Sequence, residues 1–141
     1  MSVRTWSSEL AALSIELFVP DVAASLRFYE ALGFELRRDD PLGSVARSEW
    51  VEFADIAMGG ASLMLQDERN TQHAKAVAGG NQRGVGADIR IIVPDADAVC
   101  ARAKQAGATI VREIGDRDYG LRDFLLRGPD GFRLRFATPI E

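Results

Sequence analysis

Residues 15–21 read IELFVPD, and residues 89–95 read IRIIVPD. Ile15 recurs as Ile89, Val19 as Val93, Pro20 as Pro94 and Asp21 as Asp95. The offset continues without a gap, so that Ala24 falls on Ala98, Gly33 on Gly107 and Arg38 on Arg112. One unit is written twice. Each copy opens on a short run rich in branched and aromatic residues, the pattern of a strand. Proline ends the run because it has no N–H to give to a ladder. The aspartate that follows suits a helix N-cap, where a carboxylate accepts from the free amides of the first turn.

Working outward, Val22, Leu26 and Tyr29 follow Asp21 at helical spacing, with Phe28 and Leu32 widening the apolar stripe. Gly33 fits just past the helix end, where a left-handed residue is favoured. FELRR (34–38) reads as a second strand, and WVEFADIA (50–57), Gly59-Gly60 and ASLMLQ (61–66) read as a hairpin. Residues 67–86 are polar and rich in glycine and read as a linker or loop. The second copy then repeats the order. DIRIIVP is a strand, Asp95 caps a helix closed by Gly107, ATIVREI is a strand, and LRDFLLR, GPDG and FRLRFAT form a hairpin. The expected architecture is α+β, strand–helix–strand–strand–strand stated twice. Module one covers about 13–67, the linker about 68–86 and module two about 87–138. A unit this short buries too little surface to be secure alone, so the two are expected to share one core within a single domain.

The 141 residues are 47% apolar and 27% charged, the composition of an ordinary globular domain. Seventeen bases against 21 acids leave a net charge of −4, which argues against nucleic acid and anionic membrane as partners. Cys100 is the only cysteine, which excludes an internal disulfide and a cysteine-built zinc site. No stretch approaches the 18 or so apolar residues of a membrane span. The opening MSVRTWSSELAAL lacks the apolar run of a signal peptide. A cytoplasmic location is the expectation.

VPDVAASLRFYEALGFEL (19–36) and DYGLRDFLLRGPDGFRLRF (118–136) resemble the vicinal oxygen chelate superfamily, which includes glyoxalase I, bleomycin-resistance proteins and extradiol dioxygenases. The resemblance covers nearly the whole chain apart from the N-terminal residues and the linker. It implies two βαβββ modules whose mixed sheets curve around a shared cleft, and a homodimer. It also implies, for catalytic members, a divalent metal held by His, Glu or Gln from strands of both modules. Mapped onto this chain, the four ligand positions fall on Ser14, Met64, Asp88 and Arg135. Only Asp88 is a good ligand for a hard ion, and an arginine cannot give up its proton to bind one. No metal and no cofactor are therefore expected. The resemblance points toward the metal-free, bleomycin-resistance-like branch and leans away from enzymatic activity.

Strand alternation indicates what would line the cleft instead. If Ser14 faces it, so do Glu16 and Phe18; Asp88 brings Arg90 and Ile92; Met64 brings Ser62 and Gln66; Arg135 brings Arg133. The opposite face carries Ile15, Leu17, Val19, Ile89, Ile91, Val93, Leu134 and Phe136, all apolar. The candidate ligand-binding residues are Glu16, Trp50, Met64, Asp88, Arg90, Tyr119 and Arg135. Each has an alternative. Asp88 and Arg135 are equally readable as an ion pair, Arg90 as a solvated rim residue, and Trp50 as a packing or dimer contact. Tyr119 is assigned by the resemblance, which places a pocket-closing residue there. His73, the only histidine, falls in the linker and reads as a surface residue, and Cys100 reads as a small core residue. The expected function is sequestration of a small molecule in the cleft between the two modules, with a metal-dependent lyase or dioxygenase using atypical ligands as the alternative.

Overall fold

The computed structural model describes residues 13–37, 45–47, 52–70 and 83–141. Both copies of the repeated motif fold alike. Strand β1 (Ser14–Val19) leads into helix α1 (Val22–Leu32), and strand β6 (Ile89–Ile92) leads into helix α2 (Ala96–Gln105). Asp21 accepts from the Ala24 amide at 3.1 Å, and Asp95 accepts from the Ala98 amide at the same distance. Each cap contributes about 1 kcal/mol of helix stability. Gly33, at φ 116°, turns α1 off, and its N–H donates to Glu30 O at 3.0 Å.

Between α1 and the 3-10 turn at Glu68–Asn70 lie β2 (Glu35–Leu36), β3 (Val45–Arg47), β4 (Glu52–Met58) and β5 (Ala61–Asp67). After α2 come β7 (Thr109–Asp116), β8 (Leu121–Arg127) and β9 (Arg133–Pro139). The first sheet has the order β1-β5-β4-β2, with β3 also paired to β4; the second has the order β6-β9-β8-β7. In both, the opening strand runs parallel to the last strand of its module and the rest pair antiparallel. The expected α+β duplication is therefore present. Two details differ from expectation. The second strand shrinks from FELRR to Glu35–Leu36, although the Arg37 amide still donates to Asp55 O at 2.8 Å. The short β3 adds a strand that the pattern of alternation did not announce.

Alternation sorts the faces as read. Leu17, Val19, Ile91, Val93, Leu134 and Phe136 are buried, while Glu16, Arg90 and Ile92 on the opposite face are exposed. Residues of both modules enter one buried apolar cluster, including Tyr29 and Phe34 from the first and Phe124 and Phe136 from the second. Phe124 and Phe136 stack at 5.6 Å, and Tyr29 meets Phe28 and Phe34 edge-on at 5.3 and 5.5 Å. Cys100 is buried among these residues, and burial pushes its thiol pKa up.

The GPDG turn of the second module is tied into the helix of the first. Asp130 is buried and accepts from Tyr29 OH at 3.1 Å and Ser25 Oγ at 3.3 Å, as well as from the Phe132 amide at 3.2 Å. A Cβ on Gly128 would lie 3.0 Å from Asp130 Oδ1 and 3.2 Å from the Phe28 ring, so a side chain there would have to push a neighbour aside. Arg102 of α2 completes the junction by donating to Leu32 O at 3.0 Å, the carbonyl at the end of α1.

Burial raises the Asp130 carboxyl above the usual range, and its hydrogen bonds only partly offset this. The fold thus favours the protonated form. Its contribution to stability is full below the ordinary carboxylate pKa and falls as pH rises through the raised one. Asp130→Ala leaves the buried Tyr29 hydroxyl without its acceptor and should cost about 2 kcal/mol in urea denaturation at neutral pH. Asp130→Asn keeps an acceptor and should cost less, while flattening the pH dependence. Equal midpoints for Asp130→Ala and the parent chain would show that this junction contributes nothing.

Candidate functional site

The candidate residues separate into two groups. On the first sheet, β1 and β5 run in a register that makes Glu16 the cross-strand partner of Met64 and Ser14 the partner of Ser62. Glu16 is exposed and Met64 half-buried, and the Ser62 hydroxyl donates to Ser14 Oγ at 3.3 Å. On the second sheet, Asp88, Arg90, Tyr119 and Arg135 come together and, with Arg112, line an open recess of about 550 Å³. Trp50 and His73 lie outside the described residues. The structure thus brings together four of the seven candidates, all from the second module, and places Glu16 and Met64 on the other sheet.

The expected Asp88–Arg135 pair differs in detail. The parallel register makes Arg90 the direct partner of Arg135, while Asp88 sits one residue before the Ile89–Leu134 pair, beside Arg133. Arg133 therefore takes Asp88 with a two-pronged grip, Nε to Oδ1 at 2.7 Å and Nη2 to Oδ2 at 3.3 Å. Arg135 Nη2 reaches the same Oδ2 only at 3.4 Å. Strand offset decides this, and offset is not written in the alternation of either strand.

The residue that organises the recess was not among the candidates. Asp123, on β8, has no exposed surface. Its carboxylate accepts from Arg117 Nε at 2.8 Å, Tyr119 OH at 2.5 Å and Arg135 Nη1 at 3.4 Å. Arg117 is held in turn by the carbonyls of Asp123 at 3.1 Å and Glu113 at 2.5 Å. Burial alone would raise the Asp123 pKa. The bonds from Tyr119, Arg117 and Arg135 outweigh it and hold the carboxyl below its ordinary range. Burial pulls Arg135 the other way, but Asp123 and Asp88 restore and raise its pKa, so it stays charged. A signal for Asp123 was available: it is the one acid in the otherwise apolar or basic run LRDFLLR. A charge there needs partners.

Tyr119, 51% exposed as a residue, is held by its hydroxyl on Asp123, which leaves an aromatic surface at the mouth of the recess. The four positions that the resemblance assigns to a metal do not fit one. Ser14 is engaged with Ser62, Met64 offers a soft thioether, Asp88 is taken by two guanidinium groups, and Arg135 is itself a cation. Hard divalent ions require several oxygen or nitrogen donors converging on one point. Among the described residues, no three His, Cys, Asp or Glu gather in that way.

The profile described as Glyoxalase/Bleomycin resistance protein/Dioxygenase superfamily matches residues 11–136. The chain belongs to this superfamily. An uncharacterized protein of Mycobacterium bovis is 29% identical over 134 residues, covering 92% of this chain and 84% of that protein. An uncharacterized protein of Mycobacterium tuberculosis is equally similar, with 75% of its length covered. Among solved structures, a hypothetical protein from S. aureus superposes with a TM-score of 0.66 at 23% identity, over 92% of this chain and 94% of that one. A glyoxalase/bleomycin resistance protein/dioxygenase family enzyme from Burkholderia phytofirmans gives 0.67 at 16% identity, over 90% and 97%. At these identities the structural matches show the fold alone. No helix among the described residues is long and apolar enough to cross a membrane.

Because the Asp123 carboxyl is held down in the folded state, its ionisation stabilises the fold above the ordinary carboxylate range. That contribution is lost as pH falls through the depressed folded pKa. Asp123→Asn should therefore cost about 2 kcal/mol at neutral pH, discounted because solvent reaches both arginines. The difference from the parent chain should shrink below about pH 4. Chemical denaturation at pH 7 and pH 3 measures both, and a difference that grows on acidification would contradict the assignment.

Proposed function

We propose that the chain is a metal-free small-molecule-binding protein of the glyoxalase/bleomycin-resistance type, which sequesters a ligand in the recess of its second module. The observation that carries this reading is the recess itself: polar groups of Asp88, Arg90, Arg112 and Arg135 converge on it beside Tyr119, whose hydroxyl is held by Asp123. Small-molecule sites combine a concave surface with a few placed polar groups in this way. Sequestration needs no turnover, only a complex that lowers the free concentration of its ligand. Ser14, Met64, Asp88 and Arg135 at the metal positions support binding over metal-assisted chemistry.

A thermal-shift screen across antibiotics, metabolites and divalent metals tests the proposal, because a ligand that binds only the folded chain raises its melting temperature. The expected result is stabilisation by an organic ligand, lost on Tyr119→Ala, and none by Ni, Zn, Mn or Fe. About one tightly bound metal per chain by elemental analysis, lost together with activity on Asp88→Ala, would favour instead a lyase or dioxygenase with atypical ligands.

We also propose a homodimer. Strands β1 and β6 stand at the ends of their sheets, and end strands invite pairing or cover. Between them runs a largely apolar groove of about 460 Å³ that includes Ile15, Leu63, Ile89 and Ile91, is flanked by Leu13, 72% exposed, and Ile92, 54% exposed, and is bordered by Arg90, which also lines the recess. Light scattering at micromolar concentration should give twice the chain mass of 15.4 kDa. A monomer mass throughout would exclude the dimer.

A further inference from the structure

We infer that the recess of the second module selects anions, so that its ligand is a small organic acid bearing a carboxylate or phosphate group. This rests on the binding function proposed above and assigns its ligand class.

The second sheet carries a row of arginines on its open face. Arg90 is the cross-strand partner of Arg135, Arg135 of Leu125, and Leu125 of Arg112. One step along the same face, Arg133 stands opposite Arg127. Two pairs of like charges are thus placed directly across from each other. Such pairs work against sheet stability. The chain as a whole has more acids than bases, 21 against 17, so general composition does not account for the concentration. Positions where a sequence breaks a local rule without a packing gain are where function is expected.

Among the described residues, only Asp88 and Asp123 are paired with the arginines of this face. Asp88 is gripped by Arg133, and buried Asp123 is gripped by Arg117 and Tyr119. Arg135 touches both carboxylates and the Tyr119 hydroxyl, each only at 3.4 Å. Among the described residues Arg90 and Arg112 have no ion pair and no side-chain hydrogen bond at all. A guanidinium presents five donors in a planar fork that matches a carboxylate or phosphate two bonds at a time. Arg90 and Arg135, side by side, form the primary clamp. Arg112 lies two strands beyond Arg135, roughly 10 Å away, and can meet a second acidic group. The exposed Tyr119 ring offers a face for a flat ligand body. The cationic alternative has little to use, because Glu16 is on the other sheet and both carboxylates near the recess are already paired.

The test is a titration of the isotopically labelled full chain at constant ionic strength, followed by amide shifts. The probes are phthalate, inorganic phosphate, neutral phthalamide and cationic benzyltrimethylammonium. Phthalate or phosphate should shift amides around Arg90, Tyr119 and Arg135, with the neutral and cationic probes at least tenfold weaker. Tighter phthalate points to an aromatic carboxylate, and tighter phosphate to a phosphorylated compound. Arg90→Gln with Arg112→Gln should weaken the anions at least tenfold, while Arg27→Gln on the exposed face of α1 should not. Without anion, Arg90→Gln should leave the melting temperature unchanged or raise it, since it relieves repulsion; a merely structural role would lower it. Neutral or cationic probes binding the recess as well as phthalate would overturn the anion assignment and leave the binding function standing. No response at the recess to any of the four probes would remove both.

Discussion

Asp123 is the point on which the candidate site depends. One carboxylate without solvent exposure fixes Arg117, Tyr119 and Arg135 at once. A buried charge is tolerable only when it is paired and hydrogen-bonded, and a strand interior offers no water to help. The three partners are therefore held in place by the energetic penalty of leaving Asp123 alone. Tyr119 consequently presents its ring rather than its hydroxyl, and Arg135 stands between Asp123 and Asp88, held by each only at 3.4 Å. A recess wall built in this way is fixed before any ligand arrives, which reduces the ordering that binding would otherwise have to supply.

The duplicated motif explains why that wall lies where it does. Each module begins with a capped helix behind a strand whose apolar face is committed to the core, which leaves the other face free. In the first module the free face carries the exposed Glu16, the half-buried Met64, and Ser14 bonded to Ser62. In the second it carries arginines. The two halves share backbone chemistry and have diverged on the face that backbone chemistry leaves unconstrained. The junction between them is likewise asymmetric. The turn after β8 is GPDG, whose Asp130 reaches Tyr29 and Ser25, whereas the corresponding turn of the first module is Gly59-Gly60.

Local chemistry was legible in the sequence because it repeats at short range. Proline, a capping aspartate, a helical stripe and a left-handed glycine identify each module, and the period of two separates buried Leu17 and Leu134 from exposed Glu16 and Arg90. Strand register was not legible, because it depends on pairing between segments far apart in the chain. That is why Asp88 meets Arg133 before Arg135. Asp123 was missed for a related reason. Its run reads as a strand of mixed polarity, and only the pairing of β8 with β9 shows that its carboxylate is enclosed by arginines.

Arg135 and Asp88 also give physical content to the departure from the catalytic members of the superfamily. A divalent ion in such a cleft is a concentrated positive charge that holds ligand oxygens. The carboxylates and imidazoles around it exist to hold the ion. A guanidinium at one of those positions reverses the requirement: it supplies positive charge covalently, cannot dissociate, and repels any metal that approaches. Arg90 beside it adds to the same field, and Asp88 is drawn off by Arg133. Under the proposed binding function, what is given up is the ion's capacity to polarise a bound oxygen strongly enough for chemistry. What is kept is attraction for oxygen-rich ligands. On that reading the cleft holds a molecule and does not transform it.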